Sequence, residues 1–167
     1  MNMNQSSEQS RILAVSLSSR GFGYAVMEGD NRLIGYGKKI INKKKNTRSL
    51  AHIEKLIARN RPTILVLQDV NAKGSRRVPR IKKLYLNVVA LAKRHKIKIG
   101  KISETELRTA LLGDAKGTRH EMAVVLAKKF PDELASRLPS KRKLYDSEDA
   151  RVDIFVAVGL ALVQLKF

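Results

Sequence analysis

The hydrophobic pattern of the first 40 residues predicts a β-hairpin followed by a third strand. Residues 12–15 form a continuous apolar run, which is typical of a strand buried on both faces. Residues 21–27 return as a second strand, and a turn at residues 29–31 leads to a third strand over residues 32–37. This arrangement places Ser16 near the centre of a sheet, where phosphate-processing enzymes usually carry a carboxylate.

The middle of the chain alternates between helical and strand patterns. A helix with Leu50, Ile53, Leu56 and Ile57 on its inner face is expected to be capped by Thr47 or Ser49. A buried strand over residues 63–67 follows and delivers Gln68 and Asp69 to its carboxyl end, where α/β sheets place their sites. A helix over residues 80–95 and a fifth strand over residues 97–102 complete this part.

The last third of the chain reads as helices. Ser103 with Glu106, and Thr118 with Glu121, form two capping boxes. Residues 131–145 read as a basic connector, and the final helix, beginning around residues 147–149, is apolar on nearly all sides and should be buried. The order β-β-β-α-β-α-β, then helices, predicts an α/β fold with a mixed five-stranded sheet and helices on both faces.

Composition restricts the function classes. The 167 residues fit one domain over residues 11–167, after a polar tail at residues 1–10 that we expect to be disordered. A net charge of +19 favours nucleic acid as the partner over an anionic membrane surface. The chain has no cysteine, no apolar run long enough to span a bilayer and no signal-peptide pattern, so a cytoplasmic location is expected.

The positive charge is not evenly mixed with acids. No acidic residue occurs between Val70 and Ser103, although this stretch is rich in lysine and arginine. An unmixed basic surface indicates contacts with phosphates. The residues of this stretch predicted to bind nucleic acid are Lys73, Arg76, Arg77, Arg80, Lys82 and Lys83. Charge alone does not distinguish DNA from RNA.

Three segments carry a resemblance to a known family: ILAVSLSSRGFGYAV, LVLQDV and SEDARVDIFVAVGLAL. With the element order, they resemble the RuvC-type Holliday-junction resolvases of the ribonuclease H-like superfamily. The segment GDAKGTRHEMAV resembles the basic segment before that family's last helices, which adds Lys116 and Arg119 to the predicted nucleic-acid contacts. The resemblance implies a DNA nuclease, usually dimeric, that uses two divalent metal ions, Mg²⁺ or Mn²⁺, held by four carboxylates.

The family's four acidic positions match this sequence only in part. The first falls on Ser16 and the second on Gln68, with Asp69 beside it. The last-helix pair falls on Asp149 and Asp153, whose spacing of four differs from the family's usual three, with Glu148 as an alternative. The resemblance therefore implies Asp69, Asp149 and Asp153 as catalytic and metal-binding residues, with two positions that have lost their charge.

Each of these acids also has a simpler interpretation. Asp69 fits an exposed acid at a strand end, and Asp149 and Asp153 fit acids that complement a helix dipole. Ser16 lacks the surroundings of a nucleophilic serine. The three histidines show no metal-ligand spacing, so we interpret them as surface residues.

Three functions are compatible with these observations. The first is a RuvC-like protein that binds branched or double-stranded DNA through a basic surface, with nuclease activity weak or lost. The second is an active, magnesium-dependent, structure-selective endonuclease, and the third is an RNA- or ribosome-associated binding protein. Because two anionic metal ligands are missing, the first is favoured over the second. Mg²⁺ or Mn²⁺ is expected only if the protein is active, and a homodimer is a further expectation.

Overall fold

The structure is a computed structural model that describes residues 10–29, 32–71, 78–141 and 149–165. Residues 1–9 of the predicted tail therefore lie outside the described part, whereas Ser10 accepts a backbone hydrogen bond from Gly29. The strands are β1 (Arg11–Ser18), β2 (Gly21–Glu28), β3 (Arg32–Ile40), β4 (Ile64–Gln68) and β5 (Lys98–Ile102). The helices are α1 (Lys45–Asn60), α2 (Pro79–Arg94), α3 (Glu104–Leu112), α4 (Arg119–Lys129), α5 (Pro131–Leu134) and α6 (Val152–Leu165).

The five strands form one mixed sheet in the order β3-β2-β1-β4-β5. β1 is the middle strand, antiparallel to β2 and parallel to β4, and β5 is parallel to β4. The predicted fold class is confirmed, and so is the position of Ser16 on the central strand. β1 is buried on both faces because helices cover both sides of the sheet.

The core has two layers, one on each face of the sheet. Ile12 and Ala14 of β1 pack with α4 and α6, whereas Leu13 and Val15 pack with α1 and α2. This separation follows from the alternation of side chains along a strand. In β1 and in β4, even-numbered residues therefore face α4 and α6, and odd-numbered residues face α1 and α2.

α6 is the helix that the sheet and the other helices enclose. Every residue from Val152 to Val163 is buried, because α6 packs on β1 and β2 from one side and on α3 and α4 from the other. The prediction that the last helix is buried is confirmed. The predicted start of this helix was wrong. The helix begins at Val152 rather than at residues 147–149, and Asp149 lies just before it.

Other helix starts show which local signals operate. Ser103 and Thr118 accept hydrogen bonds from the backbone N–H groups of Glu106 and Glu121, so both predicted caps are confirmed. The predicted cap of α1 was wrong, because α1 begins at Lys45 after Lys44, which adopts a left-handed conformation with φ 49°. The predicted 131–145 connector contains α5 and a short 3₁₀ turn, Ala135–Arg137.

In the part of the chain that the structure describes, no helix is both long and apolar enough to cross a membrane.

Candidate nucleic-acid interface

The candidate site begins at the sheet edge where the parallel strands β1 and β4 end, at Ser18 and Gln68. Ser16 shares the parity of Ile12 and Ala14, so its side chain lies on the face covered by α6. Gln68 pairs with Ile102, which packs in the same layer, and therefore lies on that face too. Ser16 is 3% exposed. The two uncharged positions that the resemblance singled out thus face the same helix.

Asp153 brings a carboxylate to this edge from the first turn of α6. It is 3% exposed, and its Oδ2 accepts a hydrogen bond of 2.8 Å from the Ser18 hydroxyl. The Arg20 guanidinium lies 4.0 Å from the same oxygen. A buried carboxylate needs such partners, because an unpaired buried charge is strongly destabilising.

Gly23 allows α6 to approach the sheet this closely. It lies opposite Ser16 on β2, and a β-carbon at this position would collide with the backbone carbonyl of Asp153. The absence of a side chain on Gly23 therefore sets the position of Asp153 over the end of β1.

Asp149 has a different partner from Asp153, because its carboxylate accepts hydrogen bonds from Arg151. Arg151 donates from Nη2 to Oδ2 at 2.8 Å and from Nε to Oδ1 at 3.1 Å. The Arg151 backbone N–H also donates to Oδ1, at 2.8 Å. The side-chain hydrogen bonds from Arg151, followed by the backbone one, lower the pKa of Asp149 to about 2. Asp149 is therefore an anion whose charge is balanced by its own neighbour.

Asp69 directly follows Gln68, the last residue of β4, and lies on the face of the sheet that α2 covers. Its Oδ1 accepts a hydrogen bond of 2.9 Å from the backbone N–H of Asn71, which closes a tight turn. Burial raises the pKa of Tyr85 on α2, and the nearby Asp69 carboxylate adds to that increase. Asp69 is thus close to Tyr85, on the face opposite α6.

The structure does not bring the three predicted metal ligands together. Among the described residues, no three histidine, cysteine or acidic side chains are grouped so that they could hold a metal ion. At the sheet edge the described residues offer one carboxylate from Asp153, hydroxyls from Ser16 and Ser18 and an amide from Gln68, with the Arg20 guanidinium beside the carboxylate. Mg²⁺ binds through several hard anionic oxygens, so these described residues do not fit a divalent metal site.

A cationic cavity of about 490 Å³ adjoins this edge, at the start of α4 and before α6. Among the described residues of its wall, Asp149 is the one acid. The residues that line it are Arg108, Lys116, Gly117, Thr118, Arg119, His120, Pro139, Ser140, Lys141, Asp149 and Val152. The cavity and the sheet edge meet at the start of α6, because Val152 lines the cavity and the next residue is Asp153.

Two of the arginines are held by one carboxylate behind the cavity. Glu104 Oε1 accepts from Arg108 Nη2 at 2.9 Å and from Arg119 Nε at 3.0 Å. Two guanidinium groups therefore share one carboxylate, which fixes their positions. Thr118 caps α4 in the same wall.

The structure divides the predicted nucleic-acid contacts into three groups. Lys116 and Arg119 line the cavity. Arg80, Lys82 and Lys83 lie in the first turns of α2, on the other side of the sheet. Lys73, Arg76 and Arg77 lie outside the described residues, as does Glu148.

Sequence reasoning missed four residues of this region: Arg20, Arg108, His120 and Lys141. His120 was interpreted as a surface histidine, yet it lines the cavity from the first turn of α4. The one sequence signal for it was its position in the first turn of the helix that Thr118 caps.

No protein-family profile matches this sequence, and no curated protein matches it. Among solved structures, the chain is similar to RuvC of Thermus thermophilus, with 14% sequence identity, a TM-score of 0.67 and 93% of each chain covered. The chain has the RuvC fold. It is equally similar to T. thermophilus RuvC in complex with a Holliday-junction substrate, with 13% identity, a TM-score of 0.68 and the same coverage.

The RuvC fold of this chain is also similar to that of Ydc2, the yeast mitochondrial Holliday junction resolvase. That likeness covers 95% of this chain and 81% of Ydc2, with 14% identity and a TM-score of 0.58. At such low identities the comparison establishes the fold, and the function has to be argued from the residues of this chain.

Proposed function

We propose that this chain is a RuvC-like protein that binds branched or double-stranded DNA through its basic surface, with nuclease activity weak or lost. One of its structural neighbours, T. thermophilus RuvC, is in complex with a Holliday-junction substrate, and another, Ydc2, is a Holliday junction resolvase. DNA is therefore the class of nucleic acid that these neighbours favour as the ligand of this chain.

The cationic cavity is the observation that carries the binding proposal. Arg108, Lys116, Arg119 and Lys141 are in its wall, and the charge of Asp149 is balanced by Arg151. A concave surface with excess positive charge attracts the phosphates of nucleic acid and releases their counterions on binding. The cavity lies beside the carboxyl edge of the sheet, where α/β folds place their ligands.

The sheet edge supports the second half of the proposal. In two-metal cleavage, one ion activates the attacking oxygen and the other stabilises the leaving oxygen. Anionic side chains must hold and bridge these two ions. Ser16 and Gln68 supply no charge there, and the Asp153 carboxylate is already engaged by Ser18 and Arg20. These contacts favour a binding protein over an efficient nuclease.

Salt-dependent binding of labelled DNA tests the first half. We expect the chain to bind a four-way junction and a linear duplex with an affinity that falls steeply as salt rises. Lys116→Gln with Lys141→Gln should weaken binding, because both exposed lysines line the cavity. Lys128→Gln with Lys129→Gln is the matched control, since it removes the same charge from the exposed far end of α4. Equal effects of the two variants would contradict a binding role for the cavity.

A cleavage assay tests the second half. The chain and Asp153→Asn are compared on a labelled four-way junction with Mg²⁺ and with Mn²⁺, at equal saturation. We expect little or no cleavage by either. Metal-dependent cuts that disappear in Asp153→Asn would instead establish an active structure-selective endonuclease.

Competition experiments address the remaining parts of the proposal. Duplex RNA should displace the labelled junction less well than unlabelled junction does, and the reverse result would favour an RNA-binding function. We further propose a homodimer that acts in the cytoplasm, which sedimentation of the free protein and fractionation of cells would test.

A further inference from the structure

Two cations from different helices meet at the turn between β1 and β2. Lys45 Nζ donates to the carbonyl oxygen of Ser19 at 2.7 Å, and Arg80 Nη2 donates to the same oxygen at 3.4 Å. Lys45 begins α1 and Arg80 is the second residue of α2, so the packing of the two helices brings the charges together. Both cationic nitrogens therefore lie within a few ångströms of each other, on one neutral oxygen.

In the described part of the chain, no carboxylate balances this pair. Among the described residues, neither Lys45 nor Arg80 takes part in an ion pair, and the first turns of α1 and α2 contain no acid. Both side chains are half-buried, so water screens their repulsion less than it would on an open surface. A bound anion would reduce the repulsion between two like charges held in this way.

Asn46 fixes Arg80 without neutralising it. Arg80 Nη1 donates to Asn46 Oδ1 at 2.9 Å, and Asn46 Nδ2 donates back to the Arg80 carbonyl oxygen at 3.1 Å. The guanidinium is therefore positioned before any ligand arrives, and a preorganised donor loses less entropy on binding. A neutral amide as the positioning partner leaves the full positive charge available.

The same turn connects the pair to the candidate interface. Ser19 and Arg20 are adjacent, and Arg20 lies 4.0 Å from Asp153 at the sheet edge. Lys45 and Arg80 lie on the α1 and α2 side of that edge, whereas the cavity lies on the α4 and α6 side. A nucleic-acid strand that crosses the edge would meet both groups of cations.

We propose that Lys45 and Arg80 form a phosphate clamp, a second contact that holds one phosphodiester group of the bound nucleic acid. The inference rests on the proposed DNA-binding function and adds a contact outside the cavity. An Arg fork and a Lys ammonium are the side chains that bind phosphate oxygens best. The clamp contacts the backbone, so it contributes affinity and no sequence preference.

The test variant is Lys45→Gln with Arg80→Gln. Glutamine removes the charge and keeps a polar amide at each position, so the clamp is lost without placing an apolar group at the turn. We expect the affinity for a labelled duplex to fall about tenfold at 0.1 M salt, and the slope of log K against log salt to fall by about one to two. The matched control is again Lys128→Gln with Lys129→Gln, which should change both quantities less.

A second variant separates the clamp from a purely structural role. Asn46→Asp keeps the acceptor for Arg80 and adds a carboxylate that pairs with the guanidinium, although it gives up the hydrogen bond to the Arg80 carbonyl oxygen. The new ion pair occupies the Arg80 fork, so binding should weaken while thermal unfolding still shows a folded protein. This variant tests the clamp if the glutamine variant fails to fold. If both variants bind like the control, the clamp is wrong. If the unmodified chain shows no salt-dependent binding, the proposed function fails before the clamp is tested.

Discussion

Restoring charge at Ser16 and Gln68 tests whether the sheet edge is the place of a lost metal site. The change is Ser16→Asp with Gln68→Glu, which would put three carboxylates on the face covered by α6. Without metal these carboxylates repel one another, and Ser16 is only 3% exposed, so the new charge is buried. A cost of about 3 kcal/mol is expected for such burial, which lowers the melting temperature of a domain of this size by roughly 6–12 °C.

Divalent metal should reverse much of this loss. If Mg²⁺ or Mn²⁺ binds only the folded state, a concentration 100-fold above its dissociation constant stabilises that state by about 2.7 kcal/mol. The melting temperature of the double variant should then rise by roughly 5–10 °C in a metal titration followed by thermal unfolding. The unmodified chain should show no comparable rise.

The neighbouring Arg20 guanidinium provides a sharper version of the test. It lies 4.0 Å from the Asp153 carboxylate and competes with any cation there. Adding Arg20→Gln to the double variant should therefore enlarge the metal-dependent shift. Ser16→Asn is the control for size without charge, and Gln68→Glu alone serves if the double variant does not fold. Folded variants that respond to neither metal would refute the placement of Ser16, Gln68 and Asp153 in one site.

Two further predictions concern the contacts around α6. Gly23→Ala should destabilise the protein by about 1–3 kcal/mol in urea unfolding, because the new methyl group collides with the Asp153 backbone, whereas Gly35→Ala meets Val26 at an ordinary 3.6 Å and should cost less. A similar cost at both glycines would contradict the close approach of α6. The pKa of Asp149 is lowered to about 2, so its pairing with Arg151 stabilises the fold above pH 4 and loses this effect as the pH falls towards 2. Asp149→Asn should thus lower stability slightly at pH 7, and this difference should shrink as the pH falls through 2. A difference of the same size at pH 7 and at pH 2 would refute that account.

Local signals in the sequence predicted much of the fold. The apolar run from Ile12 to Val15 indicated a strand buried on both faces, and the structure places it at the centre of the sheet. The caps at Ser103 and Thr118 were readable because a capping residue and its helix are neighbours in the chain. The start of α1 was not readable, since nothing in the residue type of Lys44 indicates a left-handed conformation.

The candidate site depended on contacts between distant segments. The hydrogen bond from Ser18 to Asp153 joins residues 135 positions apart, and the cavity wall comes from four separate segments. Such neighbours follow from the strand order and helix packing, which periodicity alone does not fix. The sequence reasoning also did not foresee a local contact, the hydrogen bond from Arg151 to the Asp149 carboxylate that the resemblance assigned to metal.

The charges at the sheet edge also determine how DNA binding should respond to metal. In a site with several carboxylates, divalent ions are needed to prevent the acids from repelling the phosphates. Here Ser16 and Gln68 are uncharged, and Arg20 lies beside Asp153, so the edge requires no added cation before a phosphate approaches. We therefore expect EDTA to leave the affinity for a four-way junction unchanged at fixed ionic strength. Millimolar Mg²⁺ should weaken binding, because it competes with the lysines and arginines for phosphates. Binding that is lost in EDTA and restored by Mg²⁺ at constant ionic strength would mean that a metal ion bridges the protein and the DNA, contrary to the proposed function.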